Sequence, residues 1–303
     1  MRNRADRLLV LGYHNVESTW FWPNRPGAGI ATFARQMRVL HRIANVVPLE
    51  DALDALAAGH PLPPRAVALT FDDGYRDNLE LAAPVLRGYG MPATIYLVPG
   101  FLAGEQHAWW ERLGWAVRRA RGRRLRLAGH ELLLGDDGNV AALRAVEALV
   151  KRMTHDERMK AVEQLVEDLR PRGEYRADEL FLDWDDARGL APAGMTVGSH
   201  TLAHAILGRE TAADQRVDLR ESRRLLQREL GAEVATLAYP NGTRADYDDA
   251  TFAAAREAGY SHALTAWGGA VPAGASPYEI TRTMVSTSTG AARFAAKILK
   301  QLA

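Results

Sequence analysis

Short apolar runs occur at several places along the chain and predict buried strands. Residues 65–71 combine small, β-branched and aromatic apolar side chains after a proline-rich stretch, which is typical of a strand. Comparable runs occupy residues 8–11, 93–98 and 195–199. None of these runs approaches the length of a membrane-spanning segment.

A long middle segment has a different pattern. From about residue 101 to residue 183, apolar side chains recur at three- and four-residue intervals, most clearly in 141–150 and 157–169. This spacing predicts amphipathic helices, and we find no strand signal in the segment.

Two adjacent carboxylates follow the strand predicted at 65–71. Side chains alternate between the two faces of a strand, so Asp72 and Asp73 share a site only if the backbone turns there. Gly74 permits such a turn because it lacks a Cβ. An ordinary strand-ending turn is the alternative, since Asp and Gly are common turn residues.

Two histidines follow the strand predicted at 195–199. His200 and His204 are four residues apart and face the same way if a helical turn begins there. Neutral imidazoles suit a divalent ion such as zinc, with the ligand nitrogen about 2.0–2.1 Å from the ion. An isolated pair of this kind is more often structural, but Asp73 could complete a two-histidine, one-carboxylate ligand set. These motifs together favour a metal-dependent hydrolase.

The motifs resemble those of a known family. Thr-Phe-Asp-Asp-Gly at 70–74 and Ser-His-Thr-x-x-His at 199–204 are similar to motifs of the NodB-homology polysaccharide deacetylases, carbohydrate esterase family 4. A third motif is partly present as Leu-Ala-Tyr-Pro-Asn-Gly at 237–242. There, Ala238 stands in place of the usual Arg, and Asn241 in place of the usual aromatic residue.

The family's last motif, a Leu-x-His near the C-terminus, has no match, because no histidine follows His262. The strand predicted at 8–11 instead leads into His14. This arrangement resembles the circularly permuted branch that includes poly-N-acetylglucosamine deacetylases, in which that strand comes first. In the same branch an Arg on the final strand can serve the catalytic Asp, and residues 279–285 offer Arg282. A backbone-bonded histidine and a plain ion-pair arginine are the alternatives.

The resemblance covers roughly residues 8–285 and implies an α/β fold, a distorted (β/α)7 TIM-like barrel. A length of 303 residues fits one barrel domain. We interpret residues 101–183 as a helical insertion on a barrel loop, where binding surfaces are usually built.

The resemblance also implies a cofactor, one divalent metal ion held by Asp73, His200 and His204. Zinc is expected first, with cobalt, nickel, manganese or iron(II) as alternatives. The chain has no cysteine, so thiolate ligands and disulfides are excluded.

The implied catalytic residues are Asp72, His14 and Arg282. Asp72 acts as the base towards water, His14 donates a proton to the departing amine, and Arg282 orients Asp72 and keeps its pKa low. A backbone N–H near Tyr239 is expected to stabilise the oxyanion.

Six residues are expected to contact the substrate. The adjacent tryptophans can stack on sugar rings or pack in the core, and we expect one in each place. A third tryptophan is expected to form a pocket wall. The six are Trp109, Trp110, Trp184, Tyr239, Pro240 and Asn241.

The basic segment 118–126, which begins at Arg118 and ends at Arg126, could attract an acidic glycan or an anionic lipid. Such a run is more often a solvated helix end. The net charge of +1 does not mark the chain as a nucleic-acid-binding protein.

The N-terminus enters the first predicted strand without a signal-peptide pattern, so we expect cytoplasmic residence. The expected function is removal of N-acetyl groups from an acetamido sugar in a polysaccharide, an oligosaccharide or a lipid-linked glycan. One alternative is a related metal-dependent amidohydrolase that acts on a small non-sugar amide. Another is a non-catalytic glycan-binding barrel.

Overall fold

The computed structural model describes residues 7–120, 124–127, 129–134 and 140–302. Its strands are β1 (Arg7–Tyr13), β2 (Asn45–Val46), β3 (Ala66–Phe71), β4 (Ala93–Leu97), β5 (Arg124–Leu127), β6 (His130–Leu133), β7 (Met195–Ser199), β8 (Thr236–Ala238), β9 (His262–Leu264), β10 (Val271–Pro272) and β11 (Thr283–Met284). Its α-helices are α1 (Ile30–Ile43), α2 (Leu49–Ala57), α3 (Ala83–Gly88), α4 (Pro99–Leu102), α5 (Trp109–Arg119), α6 (Val140–Val150), α7 (His155–Leu169), α8 (Trp184–Arg188), α9 (Ala212–Leu230), α10 (Asp249–Glu257) and α11 (Ala291–Leu302).

The strands form the predicted distorted barrel. Parallel pairing runs through β1, β3, β4, β7, β8 and β9 in that order. A parallel bridge from Leu264 to Ile280 and the pairing of β11 with β1 then carry the chain back to the first strand. The strand that bears His14 therefore comes first in the chain, between β3 and β11. Short β10 runs antiparallel to β1, so the sheet is mixed.

Alternation along the strands separates the barrel interior from the helix-facing side. Leu8 and Val10 pack in a cluster that includes Tyr96 and Ile280. Leu9 and its odd-numbered neighbours in β1 pack instead in the large cluster that contains residues of α1, α9, α10 and α11. The same alternation continues into the residues that directly follow a strand, so it decides which of their side chains point into the barrel and reach the site.

The segment between β4 and β7 has its own apolar core. Side chains of α5, α6 and α7 pack there with Tyr75 and Phe21. This core holds the helices over the carboxyl end of the barrel, and it contains the adjacent pair Trp109 and Trp110.

The prediction of helices alone in this segment was wrong, because β5 and β6 form an antiparallel hairpin. Leu125 and Leu127 are buried while Arg124 and Arg126 are exposed, which is the two-residue period of a strand. The basic composition of the run hid this alternation. Both arginines contact Glu131 across the hairpin, at 3.0 and 3.2 Å.

We expect Gly198→Ala to destabilise the barrel. A Cβ at position 198 would overlap the ring of Tyr96, a fully buried residue whose hydroxyl donates a 3.2 Å hydrogen bond to Thr236 Oγ1. Overpacking of this kind costs about 1–3 kcal/mol. Urea unfolding should show a lower midpoint for the variant.

The matched control is Gly88→Ala at the end of α3, where an added Cβ meets no atom of the other described elements within 4 Å. Equal unfolding midpoints for the two variants would contradict this account of the interior.

Candidate active site

A cavity of about 260 Å³ opens at the carboxyl end of the barrel. Parallel strands bring their carboxyl ends to the same edge, which is where barrel proteins build their sites. The predicted site residues that line the cavity are His14, Asp72, Asp73, Trp109, Trp110, His200, His204, Tyr239 and Asn241.

Asp72 continues the inward-facing side of β3 and meets Arg282 inside the barrel. Arg282 Nη1 donates to Asp72 Oδ1 at 2.7 Å, and Nη2 donates to Oδ2 at 2.8 Å. Arg282 also donates to the Thr265 carbonyl (2.7 Å) and to the Thr70 hydroxyl (3.1 Å). Arg282 does not line the cavity but lies fully buried beneath it.

This ion pair controls the protonation of Asp72. Burial alone would raise the pKa of Asp72, but the Arg282 guanidinium, helped by nearby imidazoles, outweighs it and holds the pKa below its usual range. The Asp72 carboxylate is therefore charged near neutral pH.

Asp73 enters the same cavity because the backbone turns at this residue as well as at the glycine. Asp73 has φ +72° and Gly74 has φ +71°, both in the left-handed region. A Cβ at Gly74 would lie 2.9 Å from Leu97. The turn expected from the Asp-Asp-Gly sequence is present. It uses two successive left-handed residues, and only one of them is a glycine.

The two histidines are brought together by a loop and not by a helical turn. Thr201 (φ +67°) and His204 (φ +57°) adopt left-handed conformations, and the ring centroids of His200 and His204 lie 4.9 Å apart. The loop is held by the Leu202 N–H, which donates to partly buried Asp218 at 2.8 Å.

The expected metal ligands fit a cation. His200 Nδ1 lies 2.7 Å from the Ala238 carbonyl, so that nitrogen carries a proton and Nε2 is the atom that faces Asp73. Burial opposes a charge on His200, but Asp73 and Asp72 outweigh it and raise the pKa of His200, so a metal ion would bind Nε2 in exchange for a proton. Burial lowers the pKa of His204 to about 4, which leaves it neutral at pH 7. Both Nε2 atoms face Asp73 Oδ1, at 3.4 and 3.3 Å, and this buried oxygen accepts no hydrogen bond from the described residues.

One ligand atom from each of these three residues lies within 4.8 Å of the other two, and all three side chains are buried. Two imidazole nitrogens and a carboxylate oxygen that converge in this way are a donor set that a divalent ion can bind in place of a proton. Asp73, His200 and His204 therefore form a group that could hold a metal ion.

The third motif contributes less than expected. The Tyr239 N–H donates to the Leu264 carbonyl at 2.9 Å within the barrel, so it is not free for an oxyanion. Pro240 is buried and does not line the cavity, whereas Asn241 does, with a left-handed backbone at φ +58°.

The tryptophans divide differently from the expectation. Trp109 and Trp110 both line the cavity although each is at least nine-tenths buried. Trp110 packs on His204, with ring centroids 4.5 Å apart, and its Nε1 donates to the Tyr75 hydroxyl. Trp184 lies outside the cavity, where α8 packs against the main core.

Two polar residues that the motifs did not include hold the loop after β1. Asp77 Oδ2 accepts hydrogen bonds from the Val16 and Glu17 N–H groups, both at 2.8 Å. Asn78 Nδ2 donates to the His14 carbonyl at 2.8 Å. In the sequence they are ordinary polar residues at the start of a helix. Only their closeness to the Asp-Asp-Gly motif could have indicated that they lie near the site and fix a neighbouring loop.

The cavity also has walls that the sequence did not indicate. Glu147 of α6 and Lys151, which directly follows that helix, line it, as do Phe21 and Trp22 from the loop after β1. A run of three aromatic residues, starting at Trp20, was the available signal for this loop.

The basic segment is only partly described, because residues 121–123 lie outside the described residues. Arg118 and Arg119 end α5, while Arg124 and Arg126 belong to the hairpin. Its association with an anionic partner stays a prediction.

Comparison with known proteins gives a consistent result. A family model described as polysaccharide deacetylase matches residues 59–263. The chain is 24% identical over 297 residues to a Bacillus subtilis (strain 168) protein named "Putative polysaccharide deacetylase YxkH", covering 97% of this chain and 77% of that protein.

Two solved structures share the fold. The Streptococcus pyogenes deacetylase PplD, solved in complex with acetate, superposes with a TM-score of 0.64 at 16% identity, covering 98% of each chain. A de-N-acetylase from Aggregatibacter actinomycetemcomitans gives 0.60 at 19% identity, covering 98% of this chain and 100% of the other.

Among the described residues, the helices include none that is both long and apolar enough to cross a bilayer.

We expect the protein to bind one zinc ion per chain, and we expect His200→Ala or Asp73→Ala to weaken that binding by more than about 100-fold. Loss of a group that only supports a ligand already costs about 10–100-fold. Metal analysis after dialysis and calorimetric titration with zinc would measure both effects.

Asp72→Asn should retain the metal, because Asp72 is outside the ligand group. His262→Ala, which removes another buried histidine, is the matched control. Wild-type zinc affinity in His200→Ala would refute the ligand assignment.

Proposed function

Because the chain belongs to the polysaccharide deacetylase family, we propose that it is a metal-dependent hydrolase that removes N-acetyl groups from an acetamido sugar. The sugar would belong to a polysaccharide, an oligosaccharide or a lipid-linked glycan. The observation that carries the proposal is one cavity that holds the buried Asp73–His200–His204 group beside the Asp72 carboxylate. The names of the structural neighbours, a deacetylase with acetate and a de-N-acetylase, agree with it.

The reaction consumes one water molecule. A bond forms between the water oxygen and the acetyl carbon, the carbon–nitrogen bond breaks, and acetate and a free amine leave. When bound by Asp73, His200 and His204, a divalent metal supplies Lewis acidity, which lowers the pKa of water towards about 7.

Asp72 is the proton acceptor in this proposal. Arg282 binds both carboxylate oxygens and fixes the carboxylate at the cavity floor. Because its pKa lies below the usual range, Asp72 is ionised and ready to take a proton from water. A base this weak needs an acidified water, which is why it suits a site beside a cation.

His14 is the proton donor to the departing amine. It lies at the end of β1 on the cavity wall, and the loop that follows it is fixed by Asp77 and Asn78. An amine is a poor leaving group until it is protonated, so the positioning of this imidazole matters for amides in particular.

A sugar is a better substrate for this cavity than a small amide. Trp22, Trp109 and Trp110 give the walls aromatic surface, while Asn241 and Thr243 add polar groups. Aromatic faces with a few polar groups suit a pyranose ring, which has apolar and hydroxyl-bearing surfaces. The ordered ion pair at the cavity floor also favours catalysis over binding alone.

We expect metal-stripped protein to release acetate from an N-acetylglucosamine tetramer only after zinc or cobalt is added. Asp72→Asn should lower the rate by about 10²–10⁴-fold, which is the usual contribution of a positioned acid or base. Acetate assay with metal-loaded proteins measures this. Asp51→Asn, an exposed acid on α2, is the control.

Near-normal activity in Asp72→Asn would show that Asp72 is not the base. Absence of acetate from the wild-type protein carrying one metal per chain would favour the small-amide alternative.

We expect His14→Ala to slow amide hydrolysis by about 10²–10⁴-fold and hydrolysis of 4-nitrophenyl acetate by less than about tenfold. Nitrophenolate leaves without a proton, so it does not need the acid. Asp77→Ala should show a weaker loss with the same selectivity, because it frees the Val16 and Glu17 N–H groups that fix the loop.

Hydrolysis rates of these variants on the amide and on the ester distinguish a proton-donating His14 from a structural one. His60→Ala is the exposed-histidine control. Equal losses on amide and ester would argue that His14 is structural.

A further inference from the structure

A second cavity, of about 420 Å³, adjoins the first. His14, Phe21 and Trp22 line both, so the two cavities share a wall that contains the proposed proton donor. The second cavity lies between the loop after β1 and the loop after β11, under the ends of α5 and α6. A sugar bound in the first cavity would therefore have its neighbour in the chain close to the second.

The second cavity has two arginines on its wall. Arg118 Nε donates to the Trp20 carbonyl at 2.6 Å. The Arg144 guanidinium lies over the Trp22 ring at 4.7 Å and over the Phe21 ring at 5.4 Å. These contacts hold both side chains partly in place before a ligand arrives, which lowers the entropy lost on binding.

The charge around this cavity is positive. None of the described residues that line it is acidic. Glu147 lies in the first cavity and is shared between Arg144 and Lys151, each at 2.7 Å. One carboxylate thus faces two cations, while Arg118 meets only a neutral carbonyl among its described hydrogen-bond partners.

Hydrogen-bonding groups complete the wall. Asn15, Asn24, Ser286 and Ser288 line the cavity. Asn24 Nδ2 donates to the Val16 carbonyl at 3.0 Å, which fixes that side chain, and the Ser288 hydroxyl donates to Asn24 Oδ1 at 3.5 Å. The Ser286 hydroxyl accepts a hydrogen bond from the Ser288 N–H and has its own proton to donate. A concave surface with two guanidinium groups, hydroxyls and, among the described residues, no carboxylate suits an oxyanion on a sugar.

We propose that the second cavity binds the sugar next to the reacting one and selects a sugar that carries an oxyanion, either a carboxylate or a phosphate. This inference rests on the proposed deacetylase function, and it adds a substrate class, an anionic glycan, to that function. Arg118 and Arg144 are the residues that recognise the charge.

The test compares three tetrasaccharides as substrates for the zinc-loaded protein. The neutral N-acetylglucosamine tetramer carries no charge, a hyaluronan tetrasaccharide places a uronic acid beside each N-acetylglucosamine, and a 6-phosphorylated N-acetylglucosamine tetramer carries phosphate. We expect kcat/KM for acetate release to be at least about tenfold higher for one of the charged substrates, as two charge-assisted contacts allow. That advantage should shrink as salt rises.

The Arg118→Gln/Arg144→Gln double variant should lose the advantage through KM, so that its kcat/KM for the charged substrate falls to its own kcat/KM for the neutral tetramer. Arg119→Gln/Arg152→Gln is the matched control, because it removes two nearby exposed arginines that do not line the cavity. Binding of the same oligosaccharides to zinc-loaded Asp72→Asn, measured by calorimetry, reports on the cavity without turnover.

The outcomes separate the two proposals. A preference for hyaluronan identifies the oxyanion as a carboxylate, and a preference for the phosphorylated tetramer identifies it as a phosphate; either supports the inference if the arginine variant abolishes it. Deacetylation of all three at equal rates overturns the inference and leaves the deacetylase function intact. Absence of acetate from every substrate overturns the deacetylase function, and the inference is then decided by whether Asp72→Asn binds a charged oligosaccharide in an arginine-dependent way.

Discussion

The ion pair between Arg282 and Asp72 is the interaction on which the site depends. The pair is buried, and each Nη atom of Arg282 donates to one carboxylate oxygen of Asp72, at 2.7 and 2.8 Å. Removing one partner of such a pair costs about 3–5 kcal/mol, because a charge stays behind in a dry interior. The barrel must therefore place both strand ends accurately. In return the carboxylate stays ionised and fixed in direction beside the candidate metal ligands.

Strain in the backbone is concentrated around this pair. Four of the six described non-glycine residues with positive φ are Asp73, Thr201, His204 and Asn241, all at the cavity or beside its ligands. Such conformations cost about 1–3 kcal/mol each and persist only where the surroundings fix them. Contacts such as that of partly buried Asp218 with the Leu202 N–H supply this constraint. The rigid barrel thus holds loops that would not adopt these shapes alone.

The sequence predicted the strands that carry the chemistry better than it predicted the path of the chain between them. Asp72 and Asp73 follow a buried strand as expected, because an apolar β-branched run before an Asp-Asp-Gly turn is a local pattern. His200 and His204 meet through a left-handed loop, which the four-residue spacing cannot distinguish from a helical turn. The β5–β6 hairpin was missed because its alternating leucines and arginines also fit a basic helix end.

The sequence by itself determined the barrel class and the candidate site residues through short local motifs and the family resemblance that they carry. Tertiary structure alone decided which distant groups meet. The resemblance implied that Arg282 would serve Asp72 across 210 positions of chain, but only the structure shows that the two Nη atoms bind both carboxylate oxygens and that the Tyr239 N–H already donates to the Leu264 carbonyl. Such pairings follow from strand order and from which side of the barrel each residue faces. A linear pattern contains neither, so the second cavity and its two arginines emerge only once the loops and the α5–α7 segment pack together.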